Sequence, residues 1–371
     1  TAQLVTTEVL WNPYYLRCMY RAVLPLIIII TMSIYAGMPY LSQMSSLCYN
    51  VHQQPAAPVR ILDTHLPTQA LRNNIIDHPY LSKECYLYRN LKAKNVCCKT
   101  RQYTSKYVQI CSINMASTKY SRSLFNGHDV HQSIPRGLGN HWVFVGNSRV
   151  RKLMYMIVQI FDCPGTVINK TGLHQTVRVT HKSLPIHFTF FWDPYLTELP
   201  HLAEIWSNDT YERPTRLHIG CGVNYMKYSW EVYSQQGQEA AALKFRQQML
   251  KVLPLVQDLA TKIPVTWQLE EHVMESLTWS WLKDVWSTQN VEYYNDFLRQ
   301  KLEGSNVVVM DAHIPLGELF IEDCTRDFRN DTWYCKDVVH HGLFAFQKYA
   351  QFWLNHACNQ VIDIGKIKGY C

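Results

Sequence analysis

The sequence predicts an α/β protein, a mostly parallel sheet flanked by helices, behind an N-terminal membrane anchor and a Cys-rich subdomain. Three observations predict it. From Asn140 onward, short apolar runs alternate with long segments of helical periodicity. Ala22 to Leu41 is a run of twenty uncharged residues, long enough to cross a bilayer. Between these, Cys85, Cys97, Cys98 and Cys111 crowd a stretch with little periodicity.

The 371 residues are 47% hydrophobic and 18% charged, which describes a folded chain with one large core or two smaller ones. The formal charge of +7 is scattered. No basic arm, zinc-finger spacing or RNA-binding aromatic motif accompanies it, so nucleic acid is not an expected partner. No Cys/His metal spacing occurs, and no metal is expected.

Residues 1–21 read as a short tail, with Arg17 and Arg21 just before the apolar run and no further Lys or Arg until Arg60. By the positive-inside rule the tail is cytosolic, 22–41 is a signal anchor of a single-pass type II protein, and the rest is lumenal. A cleaved signal peptide is the alternative. The sequence starts at Thr1 without a methionine, so the true N-terminus stays open. Asn169, Asn208 and Asn330 each begin an Asn-x-Thr glycosylation acceptor beyond the anchor. Of twelve cysteines, eleven follow the anchor. That is an odd number, read as a set of secretory-pathway disulfides with one thiol left over. A glycoprotein of the Golgi or ER membrane is expected.

Residues 42–138 read as a stem, with a Pro/Ala-rich linker at 53–58, followed by a disulfide-held subdomain packed on the main fold. Residues 139–371 are the expected main domain. Strands are predicted at 142–146, 186–191, 215–220, 263–268 and 305–311, and helices at 149–161, 237–262, 289–303 and 342–356.

The first strand passes into the first helix through Gly146, Asn147 and Ser148. Glycine permits the tight turn, and a serine there points its hydroxyl out of the sheet, near the unpaired N–H groups of the helix start. Nucleophilic serines occupy this position, and so do ordinary strand–helix turns. Such a serine needs a base, oriented by a carboxylate. Asp337 and His340, three residues apart and ahead of Gly342 and an amphipathic helix, supply both. A capping aspartate with two surface histidines is the alternative, and His341 is a competing base.

Gly-Asn-Ser at a first strand end and Asp-x-x-His before a last helix resemble the SGNH/GDSL hydrolase pattern. More narrowly, VFVGNSRVRKLMY is similar to the Gly-Asp-Ser-Arg-x-Arg block in the lumenal domain of sialic acid O-acetyltransferases, the Cas-domain family. IPVTWQLEE, then YYNDFLRQKL with NVVVMDAH, then DVVHHG before a helix ending at Cys358 follow in that family's order. Plant polysaccharide O-acetyltransferases and neurexophilin-like PC-esterase proteins share the serine and Asp/His blocks.

The resemblance implies an SGNH-like fold and acyl transfer through an acetyl-serine on Ser148, with His340 as general base and Asp337 orienting it. It implies an oxyanion hole from the backbone of Ser148 with Gly222 and Asn224 of LHIGCGVNYM; Gly172 is a guess for the family's second glycine. Arg149 and Arg151 match the block's two arginines and would hold a phosphate or carboxylate of donor or acceptor. A solvated helix face is the alternative for each. No permanently bound cofactor is implied: acetyl-CoA is the expected acetyl donor, and a glycan or nucleotide sugar, sialic acid first, the acceptor. Asn147 stands where the family has aspartate, and its amide is expected to hold the turn equally well. The animal sialate enzymes continue into a multispanning membrane domain, so here either a separate multispanning acetyl-supplying protein is a partner or the reaction differs.

Cys324 and Cys335 bracket Asn330 and end two residues before Asp337. A disulfide between them would stiffen that segment, although the sequence alone does not fix pairing. Three functions follow in order: a carbohydrate O-acetyltransferase, an O-acetyl esterase with water as second acceptor, and a non-catalytic glycan-binding protein.

Overall fold

The computed structural model describes residues 81–89, 92–95, 100–124, 139–162, 174–208, 213–329, 333, 335 and 337–362. The expected tail, the anchor at 22–41, most of the stem, Asn169, Gly172 and Asn330 lie outside the described residues, as does the side chain of Asn208. Among the described residues no helix is long and apolar enough to cross a membrane.

An antiparallel ribbon, β1 (Tyr86–Arg89) and β2 (Lys92–Asn95), precedes helix α1 (Ser105–Leu124). The main sheet has six strands: β3 (Asn140–Gly146), β4 (Val177–Thr180), β5 (Ile186–Trp192), β6 (Arg216–Gly220), β7 (Val265–Gln268) and β8 (Val308–Met310). Their order is β4-β5-β3-β6-β7-β8, parallel throughout except for β4, which pairs antiparallel with β5 at the edge. The connecting helices are α2 (Ser148–Ile160), α3 (Leu199–Asn208), α4 (Val223–Tyr228), α5 (Trp230–Ala260), α6 (Thr288–Leu302), α7 (Ile314–Arg326) and α8 (Leu343–Ile362).

β3 is apolar along its length because both of its faces are covered. All seven of its residues are buried. Trp142 and Phe144 enter one core with Leu153, Ile157, Phe188 and Trp353, while Val143 and Val145 enter a second core with Ile219, Phe245 and Trp267. That alternation is the period of two expected of a strand between two helical layers. The five predicted strands are the five parallel ones. β4 escaped prediction: it is four residues long with alternating burial, and it lies at an edge.

The predicted helices correspond to α2, α5, α6 and α8. α5 begins at Trp230 and is broken at Gly237, whose φ of 81° is non-helical and favours glycine. The helix α1 lacks an apolar stripe, which is why no helix was expected there. It is tied to α8 by the Cys111–Cys358 disulfide. Polar bonds reinforce this at its start: Tyr103 N–H donates to Gln351 Oε1 at 2.6 Å, and Arg101 N–H to Asn355 Oδ1 at 2.7 Å.

The chain runs from β3 to β5 on one side of the sheet and then to β6 on the other. The carboxyl ends of β3 and β6 therefore flank a topological switch point, where open α/β sheets form their ligand crevice. Gly146 pairs there with Trp192 of β5 and Gly220 of β6.

Candidate active site

Ser148 opens α2 directly above that crevice. Asn147 caps the helix, its Oδ1 accepting from the N–H groups of Arg149 (3.0 Å) and Val150 (3.4 Å). Gly146 has φ 149°, and a Cβ there would meet the Gly220 oxygen at 2.0 Å. No other residue fits between the two strands.

The serine hydroxyl donates to His340 Nε2 at 2.5 Å, across 192 positions of sequence. On the far side of the ring, His340 Nδ1 donates to Asp337 Oδ2 at 2.7 Å. The other carboxylate oxygen, Asp337 Oδ1, accepts from the N–H groups of Val339 (3.0 Å) and His340 (3.1 Å), so the loop holds its own orienting group. His340 is 21% exposed, which leaves this chain open to solvent on one side. His341 faces inward: it is buried, with Nδ1 bonded to the Tyr349 hydroxyl (2.6 Å) and Nε2 to the His272 carbonyl (3.0 Å). The competing base is thus turned away.

Burial lowers the His340 pKa below its ordinary value, outweighing the raising effect of Asp337. Burial pushes Asp337 up, but the hydrogen bond and charge of His340 and the two backbone N–H groups outweigh it, holding this carboxyl well below the usual range. The imidazole is neutral and the carboxylate ionised at neutral pH, as a general base and its partner require.

Arg149 does not face the crevice. It is 1% exposed, a correction to the expectation that it holds a ligand. Nη1 donates to Glu270 Oε2 (2.6 Å) and to the Glu271 carbonyl (2.7 Å), and Nη2 to the Val339 carbonyl (2.7 Å). Nε lies 2.9 Å from Glu271 Oε2. A guanidinium this far from water persists because carboxylates and carbonyls surround it. Burial lowers its pKa, but Glu271 and Glu270 raise it further, to a value above the ordinary one. Burial also pushes Glu271 up to about 7, despite Arg149.

Glu270, to which no role was assigned from sequence, joins three parts of the site. Its Oε1 accepts from Asn147 Nδ2 (2.7 Å) and from the Val223 N–H (3.1 Å), and its Oε2 from Arg149. Two acidic residues just beyond a buried strand, after Leu269, were the available signal. Gly222 packs against this carboxylate, and a Cβ there would lie 2.5 Å from Glu270 Cγ. Gly222 leads into α4 at the end of β6, beside the serine turn. The side chain of Asn224 is half-buried on the first turn of α4, with no partner among the described residues. The N–H groups of Ser148 and Gly222 donate to no protein group among the described residues.

Arg151, one turn beyond Ser148, lies at the rim. Its guanidinium sits 5.5 Å from the centre of the Trp192 ring, which stacks on its own account with His174 at 4.4 Å. Lys152 adds a second cation, 4.0 Å from Asp337 Oδ2. The Cys324–Cys335 disulfide is formed, with sulfurs 1.96 Å apart, closing a loop that ends at the Asp337 segment. Buried Cys221 is a free thiol. Among the described residues no group of His, Cys, Asp and Glu could hold a metal.

Fold and site together define a class: a doubly wound α/β protein with a serine–histidine–aspartate chain at its switch point. No protein-family model matches the sequence. The chain is similar to an acetylxylan esterase from Geobacillus stearothermophilus, at 12% identity over 59% of this chain and 94% of that one, with a TM-score of 0.33. It is likewise similar to an alpha/beta hydrolase enzyme from the metagenome of Lake Arreo, Spain, at 12% identity over 61% and 97%, with a TM-score of 0.36. The class rests on the strand order and hydrogen bonds above rather than on these distant likenesses.

Proposed function

We propose that this protein is a serine acyl enzyme that handles acetyl groups on carbohydrate, and that its reaction is transfer from acetyl-CoA to a sugar hydroxyl. The observation that carries the reading is the unbroken chain from the Ser148 hydroxyl through His340 to Asp337. In the first half-reaction His340 Nε2 takes the serine proton as Oγ attacks the thioester carbonyl. The N–H groups of Ser148 and Gly222 receive the oxyanion, and the thiol departs with the proton from His340. In the second, His340 deprotonates the sugar hydroxyl, which takes the acetyl group from Ser148 and restores the serine.

The sequence blocks similar to those of sialic acid O-acetyltransferases favour transfer, with sialic acid the leading acceptor. The cations of Arg151 and Lys152 at the rim suit an anionic donor or acceptor. Golgi or ER membrane residence and a separate multispanning acetyl supplier belong to the same reading. An esterase would use every one of these groups with water as second acceptor.

Incubation of the chain with isotopically labelled acetyl-CoA and a panel of sialylated and neutral glycans, read by mass spectrometry, tests this. Labelled glycan that disappears with Ser148→Ala is the expected result. Serine-dependent release of acetate alone would make the protein an esterase, and no serine-dependent product would leave a non-catalytic glycan binder.

A further inference from the structure

The loop between β7 and α6 is fastened on both sides of the serine crevice. The Met274 N–H donates to the Val338 carbonyl (3.0 Å), in the loop that carries Asp337 and His340. At its other end Trp286 Nε1 donates to the Val223 carbonyl (3.2 Å), next to Gly222. The segment between these two points therefore starts beside the His340 loop and ends beside the β6–α4 turn. Its shape is fixed: Thr278 Oγ1 donates to the Met274 carbonyl (3.0 Å), the Leu282 N–H to the Trp279 carbonyl (2.8 Å), and Leu282 itself is fully buried.

Two large aromatic residues stand out from this frame. Trp279 is 56% exposed and Trp281 47%. Their rings are parallel to within 2°, with centroids 6.1 Å apart. Trp230 meets Trp281 edge-on at 5.4 Å, and Trp279 leans on the buried Trp286 at 6.2 Å. Core packing does not account for indoles held rigidly in water. Polar residues interleave with them, Ser276, Ser280, Lys283 and Asp284 all being exposed.

We propose that Trp279 and Trp281, with Trp230 at their edge, form a stacking platform for pyranose rings next to the one that meets Ser148. The C–H face of a pyranose is apolar and lies flat on an indole, while its hydroxyls reach polar groups around the ring. Insertion into lipid would instead strip water from Lys283 and Asp284 without pairing them. The platform rests on the reading of Ser148 as a carbohydrate acyl enzyme. It adds that the ligand is an oligosaccharide, held by rings that are not themselves acylated.

Calorimetric titration tests the platform. The chain carrying Ser148→Ala is titrated with sialylated, xylo- and chito-oligosaccharides, and compared with the same chain bearing Trp279→Ala and Trp281→Ala. Loss of two stacking contacts raises Kd for the bound oligosaccharide about tenfold, and Trp279→Phe with Trp281→Phe recovers most of it. Unchanged Kd, or no binding of any oligosaccharide by the Ser148→Ala chain, overturns the proposal. So does tryptophan-dependent binding to phosphatidylcholine vesicles in place of sugars. Turnover by the unsubstituted chain is read separately. Serine-dependent turnover with unchanged Kd removes the platform alone, whereas tryptophan-dependent binding without turnover removes only the enzyme reading.

Discussion

Arg149 Nη2 donates to the Val339 carbonyl at 2.7 Å, so one buried guanidinium joins the helix that carries Ser148 to the loop that carries His340. The Ser148–His340 hydrogen bond spans two segments far apart in sequence, and this second link joins the same two segments.

Replacing Arg149 tests that link. Arg149→Ala leaves Glu270 and Glu271 buried without their cation, which costs about 3–5 kcal/mol of stability. Arg149→Lys keeps a charge but cannot reach the Glu270 carboxylate and the Val339 carbonyl together. Its turnover is expected to fall about a hundredfold, as misplacement of a reacting group does. Urea unfolding and steady-state rates check the two effects; wild-type turnover with Arg149→Lys would show that the link does not align the site.

Asn147 is matched to Glu270, its Nδ2 donating at 2.7 Å. Asn147→Asp restores the residue of the resembled family but sets two carboxyls at hydrogen-bonding distance, so one must hold a proton. A carboxyl whose folded pKa is raised loses stability as pH rises. The variant is therefore expected to trail the parent by about 1–3 kcal/mol at pH 7 and by less at pH 5. Urea midpoints at both values measure this.

Asp337 fixes the tautomer of His340. Asp337→Asn can present an amide N–H to Nδ1, which moves the ring proton to Nε2 and removes the base; by analogy with serine proteases, kcat falls about 10⁴-fold. Because burial holds the His340 pKa below 6.5, activity of the parent is expected to stay level through neutrality and to decline only below that value. An acid limb centred above 6.5 would contradict the assignment.

Acid sensitivity of the fold follows from buried histidines. Burial lowers His218 to about 4 and His313 to about 3, and holds His341 well below its ordinary value. Unfolded histidines bind protons below pH 6.5 and these three do not, so His218 and His313 each lose about 2 kcal/mol between pH 7 and 5, and His341 changes in the same direction. Glu271, raised to about 7, binds its proton first in the folded state and returns about 2 kcal/mol over the same interval. The net expectation is a loss of at least about 2 kcal/mol, read as a lower unfolding midpoint at pH 5.

The sequence displayed some of this openly. A buried parallel strand is an uninterrupted apolar run, so β3 and its partners were visible, and the glycine turn marked Ser148. Asp337 and His340 are local neighbours and could be paired by spacing. Arg149 was misjudged because a paired, buried arginine and a solvated one look alike on an amphipathic helix. Glu270 was overlooked because its partners, Asn147, Arg149 and Val223, come from elements that only the sheet brings together. The helix α1 is held by a disulfide and by amide side chains of α8, neither of which leaves a periodic trace.

The most direct test of the central claim is acid-quenched mass spectrometry of the peptide containing Ser148 after brief exposure to an acetyl donor. One acetyl group on Ser148 is expected, absent from Ser148→Ala, whose turnover drops by about a thousandfold or more. Undiminished turnover with Ser148→Ala, or an acetyl group carried on another residue, would contradict it.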